Sequence, residues 1–165
     1  IKELDWWQGM EAGQGIHITA TPARHFSGRS FKRNRTLWTS YVLTTGNYKW
    51  FIGGDSGYDS HFSVIGAKYG PFDLAILETG QYNEMWPHIH MFPEETVQAA
   101  LDLKAKALLP VHWAKFALSV HPWYEPADRV VRRAKERGLP IITPLIGEKT
   151  VLKAPVASRA WWDHY

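Results

Sequence analysis

Phe51-Ile52-Gly53-Gly54-Asp55-Ser56-Gly57-Tyr58 is the stretch from which the fold of this 165-residue chain is read. The run Tyr48 to Ile52 is apolar enough for a strand, and it ends in a glycine-framed loop that carries one carboxylate, Asp55. Glycine lacks the Cβ that holds off other backbone or a ligand, and it reaches backbone angles that other residues resist. A reachable carboxylate therefore stands at the carboxyl end of a strand. Two histidines have similar settings: His25 in Thr21-Pro22-Ala23-Arg24-His25-Phe26-Ser27-Gly28-Arg29, and His112 in Leu108-Leu109-Pro110-Val111-His112-Trp113. Each follows an apolar, strand-like run. If the three strand ends converge, His25, Asp55 and His112 form a metal-site pattern of imidazole, carboxylate and imidazole.

The rest of the composition limits the alternatives. The length is that of one domain with a sizeable core, and 45% of residues are hydrophobic. No stretch is apolar and long enough to span a bilayer. Nineteen basic against 16 acidic residues give a net charge of +3, too small an imbalance to imply a nucleic-acid partner. There is no cysteine, so disulfides and thiolate ligands are excluded, and a metal is left to His, Asp, Glu or water. Of nine tryptophans, Trp38, Trp86, Trp113 and Trp123 sit beside polar or glycine residues, where they either line a pocket or pack the rim of the core. The chain opens on Ile1 with no basic-then-apolar leader. The expectation is a piece of a longer protein, cytoplasmic or at the periphery of a membrane.

Taken in order, Leu4 to Trp7 and Ile16 to Ala20 are expected as two antiparallel strands joined by a loop with Gly9, Gly13 and Gly15. Alternation puts His17 and Thr19 on the face opposite Ile16 and Ile18, which favours a surface or cross-strand role for His17. Leu37 to Thr44 and Tyr48 to Ile52 read as a hairpin around Gly46-Asn47. A short helix is expected within 58–70, with Phe62, Val64 and Ile65 inward and His61 outward. Phe72 to Leu77 is a buried-strand pattern ending at Glu78. Pro93-Glu94-Glu95-Thr96 opens a helix with proline and acids at its amino end, and Val97, Ala100, Leu101 and Leu103 form its buried stripe. Ala107 to Val111 is the strand that delivers His112. A helix from about Pro126 to Arg137 buries Val130, Val131 and Ala134 and stops at Gly138. Ile141 to Thr143 and Thr150 to Leu152 are expected as closing strands.

Two segments carry further chemistry. Residues 21 to 36 hold Arg24, Arg29, Lys32, Arg33 and Arg35 around His25, either a solvated basic surface or an anion-recognising lip. In the loop before the second helix, His88-Ile89-His90 has the look of a zinc-binding His-x-His pair. Phe92 and Pro93 stand where a longer dinuclear motif needs Asp and His. His90 is then either a proton donor, a substrate contact or a plain loop histidine.

Thr-Pro-Ala-Arg-His25-Phe-Ser-Gly-Arg, Gly-Gly-Asp55-Ser-Gly-Tyr, His90-Met-Phe-Pro-Glu-Glu and Pro-Val-His112-Trp-Ala-Lys-Phe-Ala-Leu together resemble the carboxyl-terminal half of the metallo-β-lactamase superfamily. The nearest branch is that of the N-acyl-phosphatidylethanolamine-hydrolysing phospholipases D and their bacterial relatives. The four motifs, in order and well spaced, cover roughly residues 5 to 150. The resemblance implies an α/β chain that makes half of an αββα sandwich, a mixed sheet with flanking helices. It also implies a site for two zinc ions, with Mn2+ or Fe2+ as alternatives. On it, His25 serves the first metal, Asp55 bridges, His112 serves the second, and Asp55 and His90 are the catalytic pair. Arg29, Trp86, His88, Trp113 and His121 become substrate contacts, with Glu78 and His121 as candidate outer-shell groups.

The chain departs from the family in lacking the His-x-His-x-Asp-His string that supplies four ligands from the amino-terminal half. The expectation is that an absent amino-terminal half, or a second chain, provides them. The reading is a metal-dependent hydrolase of a small-molecule or lipid phosphodiester, with an ester or sugar-lactone hydrolase as the enzymatic rival. A metal-free binding or assembly module is the alternative of another class. A homodimer and peripheral membrane contact stay open as partners, and no nucleic acid is expected.

Overall fold

The connections decide the sheet. In the computed structural model, which describes residues 1–28, 31–32, 34–116, 118–152 and 159–165, six strands lie side by side in chain order. They are β1 Gly9–Glu11, β2 Ile16–Pro22, β3 Thr39–Thr45, β4 Tyr48–Ile52, β5 Leu74–Glu78 and β6 Leu108–Val111. Turns or loops without a crossover helix join β1 through β4, and these pair antiparallel. Helices α1 His61–Tyr69 and α2 Pro93–Asp102 bridge the next two connections, long enough to return the chain to the same edge, so β4, β5 and β6 run parallel. A third helix, α3 Glu125–Glu136, follows. The result is a mixed α/β sheet with helices, as expected.

Register separates two faces of this sheet. Val42 pairs with Phe51, Phe51 with Ala75 and Ala75 with Leu108, a row that is fully buried under the helices together with Phe62, Val97, Leu103 and Val130. The alternate row, with Leu43 opposite Trp50 and Ile52 beside Ile76 and Leu109, is equally apolar but only half-buried. Helix α2 is central: it packs on β5 and β6 and touches both other helices. It starts where the sequence says, with Pro93 in its first turn and the Glu95 carboxylate accepting the Phe92 N–H at 2.9 Å. Helix α3 buries Ala127, Val130 and Ala134 and ends before Gly138, whose φ of +64° closes it. His17 stands opposite Glu11 across β1 and β2 and pairs with it at 2.8 Å, the cross-strand role expected of it.

Four expectations are corrected. The first strand is Gly9–Glu11 rather than Leu4 to Trp7, because Trp6-Trp7 form a turn in which Trp7 takes a φ of 71°. Val64 is exposed, since the helical period buries Phe62, Ile65 and Gly66 instead. Residues 150–152 form no strand, and of 141–143 only Ile141 makes a bridge, with Leu108. His61 does not face outward: it is half-buried at the start of α1, with Nε2 3.3 Å from Ser56 Oγ and its ring 4.1 Å from that of Phe62.

The burial of His61 has a measurable result. It pushes the imidazole pKa from 6.5 down to about 4, the pull of Asp59 only partly opposing it and Arg24 adding to the fall. Below about pH 6.5 the unfolded chain therefore binds a proton that the folded chain refuses until about pH 4. This contribution to stability is whole above that window and is lost as the pH falls through it. Urea melts across the window are expected to show a larger loss for the wild type than for His61→Gln. Equal losses would exclude His61 as the source.

Candidate metal centre

Five side chains, four from loops and one from a strand end, meet at the carboxyl ends of the strands. β2 leads to His25, β4 to Asp55, β5 ends at Glu78, β6 leads to His112, and the loop before α2 supplies His90. His25 Nε2 lies 3.4 Å from Asp55 Oδ2. The His25 and His90 rings are 5.2 Å apart edge to face, and the His90 and His112 rings are stacked at 5.3 Å. Glu78 Oε2 is 3.6 Å from His90 Nδ1 and 3.8 Å from His112 Nδ1. One donor atom from each of Glu78, His90 and His112 falls within 4.8 Å of the others, a spacing that suits a metal ion.

Backbone contacts hold the loops in this arrangement. The Arg24 N–H donates to Ser56 Oγ at 2.8 Å and the Gly57 N–H donates to Arg24 O at 2.8 Å, which laces the His25 loop to the Asp55 loop. The Arg24 guanidinium is bound to Asp59 at 2.8 Å, so it braces this lacing rather than forming an anion lip. Gly57 lets the His88-Ile89 backbone approach: an added Cβ would lie 2.7 Å from the His88 carbonyl carbon. His112 itself has a φ of 65°, a conformation that costs a non-glycine residue about 1 kcal/mol or more and is found at functional sites.

The residues present fit a metal ion. His25 Nδ1 lies 3.1 Å from Phe26 O, which fixes its proton there and leaves Nε2 with a lone pair. That Nε2 is buried without a hydrogen-bond partner and faces the Asp55 carboxylate at 3.4 Å, whereas buried polar atoms are nearly always satisfied. Imidazole and carboxylate donors without thiolate suit zinc, manganese or iron.

The expected substrate contacts are spread more widely. Trp113 stacks on Trp161 at 5.3 Å and lines, with His112, Trp123, Leu145 and Ile146, an apolar cavity of about 740 Å³. His121 lies elsewhere: it stacks on Tyr82 at 4.3 Å in a second cavity of about 320 Å³ beside Arg129. Trp86 donates its indole N–H to Gln81 O at 2.8 Å, and His88 is exposed with its carbonyl against Gly57. Arg29 and Arg33 lie outside the described residues. Sequence reasoning gave Glu78 only a peripheral role, although it touches two of the histidines. Its signal was an acid ending the apolar run Leu74 to Leu77, and a buried charge is the informative exception in a core.

The Beta-lactamase superfamily domain family matches residues 1–113. Protein Rv0906 of Mycobacterium tuberculosis is 43% identical over 165 residues, covering 98% of this chain and 44% of the relative. The mitochondrial N-acyl-phosphatidylethanolamine-hydrolyzing phospholipase D of Saccharomyces cerevisiae is 37% identical over 147 residues, covering 84% of this chain and 31% of the enzyme. Among solved structures, Igni18, a metallo hydrolase from Ignicoccus hospitalis, superposes with a TM-score of 0.65 at 21% identity, over 90% of this chain and 58% of its own. The chain thus spans less than half the length of these curated relatives. Among the described residues no helix is long and apolar enough to cross a membrane.

Proposed function

We propose, from the premise that this chain belongs to the metallo-β-lactamase superfamily, that it is the carboxyl-terminal half of a metal-dependent hydrolase acting on a phosphodiester. The observation that carries this reading is the convergence of His25, Asp55, His90 and His112, one from each of the four sequence motifs, in a single cluster. His25 and His112 would serve as ligands through imidazole nitrogen and Asp55 through its carboxylate, with zinc the favoured metal, two ions the expected number, and manganese or iron the alternatives. Bound there, the ions supply Lewis acidity toward the phosphoryl oxygens and lower the pKa of water. His90 stands between His25 and His112 with Nδ1 turned to Glu78, which leaves the Nε2 lone pair to take up a proton in the cleft and, once the ring is charged, to return it to the leaving oxygen.

The apolar, half-exposed sheet face of Leu43, Trp50, Ile52, Ile76 and Leu109 is where we place the other half of the sandwich, contributed by the amino-terminal half or by a second chain. The phosphodiester preference draws on the relative named for N-acyl-phosphatidylethanolamine hydrolysis.

The test uses the full-length protein loaded with zinc. Hydrolysis of bis-p-nitrophenyl phosphate and of N-acyl-phosphatidylethanolamine is expected, with loss on chelation and recovery on adding zinc back. Turnover of lactones or carboxylic esters alone would move the assignment to the ester-hydrolase rival. Absence of both metal and turnover would favour a catalytically silent assembly module.

A further inference from the structure

Glu78 is wholly buried, and little on its strand calls for an acid there. Burying a carboxylate is costly unless its oxygens are hydrogen-bonded and its charge is met. Two donors come from the main chain: the Met91 N–H donates to Oε1, and the Gly80 N–H donates to Oε2 at 3.3 Å. From the other side, the Thr96 hydroxyl donates to the Glu78 carbonyl at 2.9 Å. The carboxylate is therefore fixed in place, and Oε2 is left facing His90 Nδ1 at 3.6 Å and His112 Nδ1 at 3.8 Å. His25 shows the same pattern with a different oxygen, its Nδ1 lying 3.1 Å from Phe26 O. All three imidazoles of the cluster thus have an oxygen at Nδ1.

We propose that Glu78 is a positioning residue serving two histidines at once. Its Oε2 accepts from the Nδ1–H of His90 and of His112, fixing both rings in the Nδ1–H tautomer and presenting both Nε2 lone pairs to the cleft. Small ring movements, on the order of half an ångström, bring either contact into hydrogen-bond range. A carboxylate behind an imidazole both orients the ring and raises its basicity. Here one buried acid couples the expected metal ligand His112 to the expected proton carrier His90, so the two cannot be oriented independently.

The consequence for metal binding rests on the hydrolase reading above, whereas the tautomers do not, and the experiment separates them. Ring 15N spectra of the metal-free, full-length protein, recorded above the imidazole titration range, report which nitrogen of each histidine carries the proton. The wild type is expected to show Nδ1–H for His90 and His112. In Glu78→Gln the amide oxygen is taken by the Met91 N–H, its NH2 group then faces the rings, and both are expected to change to Nε2–H. Glu78→Ala, which removes the acceptor altogether, is expected to do the same. Zinc affinity, measured by chelator competition, is expected to fall about 10- to 100-fold in both variants. Unchanged tautomers in both variants would overturn the proposal, as would a zinc-loaded crystal structure with a Glu78 oxygen bonded to the metal. Failure of the hydrolase reading alone would appear as absent zinc binding with the tautomer change intact.

Discussion

Gly80→Ala is expected to cost several kcal/mol of stability and to empty the metal centre in the same step. A Cβ at this position would overlap the His112 carbonyl oxygen and would lie 2.7 Å from the His112 carbonyl carbon and 2.8 Å from Trp113 Cα. These are backbone atoms, which cannot swing aside as a side-chain tip does. Overpacking a tight site typically costs about 1–3 kcal/mol, and a clash against main chain belongs at or above the top of that range. The loop it strikes is already strained, with His112 at a φ of 65° and Ala114 at 71°. Relief requires moving His112 away from Glu78 Oε2, which is the geometry the site depends on. Gly28→Ala is the milder comparison: its nearest neighbour is the side-chain ring of Phe26 at 3.1 Å, stacked on His25 but exposed on its outer side, which needs to give by only a few tenths of an ångström, so the loss there stays within about 0.5 kcal/mol. Urea melts of the metal-free proteins and zinc competition on each give both readouts. If the two variants melt alike, close approach of the β5 and β6 loops is not what builds the centre.

The sequence made the strand ends legible because chemistry and pattern coincide there. Apolar runs of four to six residues, each ending in a polar residue or glycine, announce a buried parallel strand and its carboxyl end together. Asp55, Glu78 and His112 could accordingly be placed without seeing the fold, and the brackets of proline and acid at Pro93 and of glycine at Gly138 marked the helices. Periodicity failed where contacts outside the element decide. His61 lies in the first turn of α1 and would face water on an isolated helix, yet the Asp55 loop folds over it and Ser56 meets its ring. Val64 and Ile65 are adjacent and both apolar; the face set by Phe62, Ile65 and Gly66 leaves Val64 outside it, and the packing of α1 on α2 selects that face. The short edge strand Gly9–Glu11 has no alternation to read, since its pairing is set by β2. His90 is the hardest case: the loop from Glu84 to Phe92 has no period. What fixes it is the Met91 N–H on Glu78 and the approach of His88 to Gly57, contacts between residues up to 31 positions apart that no local pattern encodes.

The same geometry gives the sharpest division of roles. His112→Ala is expected to lose zinc binding and hydrolysis together, whereas His90→Ala is expected to keep zinc and lose turnover. The distinction follows from what each ring faces. His112 extends directly from β6 and is less buried than His90, its side chain 39% exposed against 14%, as befits a ligand at the mouth of a cleft. His90 is enclosed between the His25 and His112 rings, and so is held beside the metal-facing nitrogens of both. Partners behind a ligand are worth about 10–100-fold in metal affinity, so deleting a ligand itself should cost about 100-fold or more. Loss of a proton donor costs about 10²–10⁴-fold in rate, and it should appear in kcat rather than in zinc stoichiometry. Zinc content and kcat measured on both variants of the full-length protein decide the matter. If His90→Ala loses zinc as readily as His112→Ala, the ligand set is the one whose donor atoms already lie within 4.8 Å of each other, Glu78, His90 and His112, and the proton must be carried elsewhere.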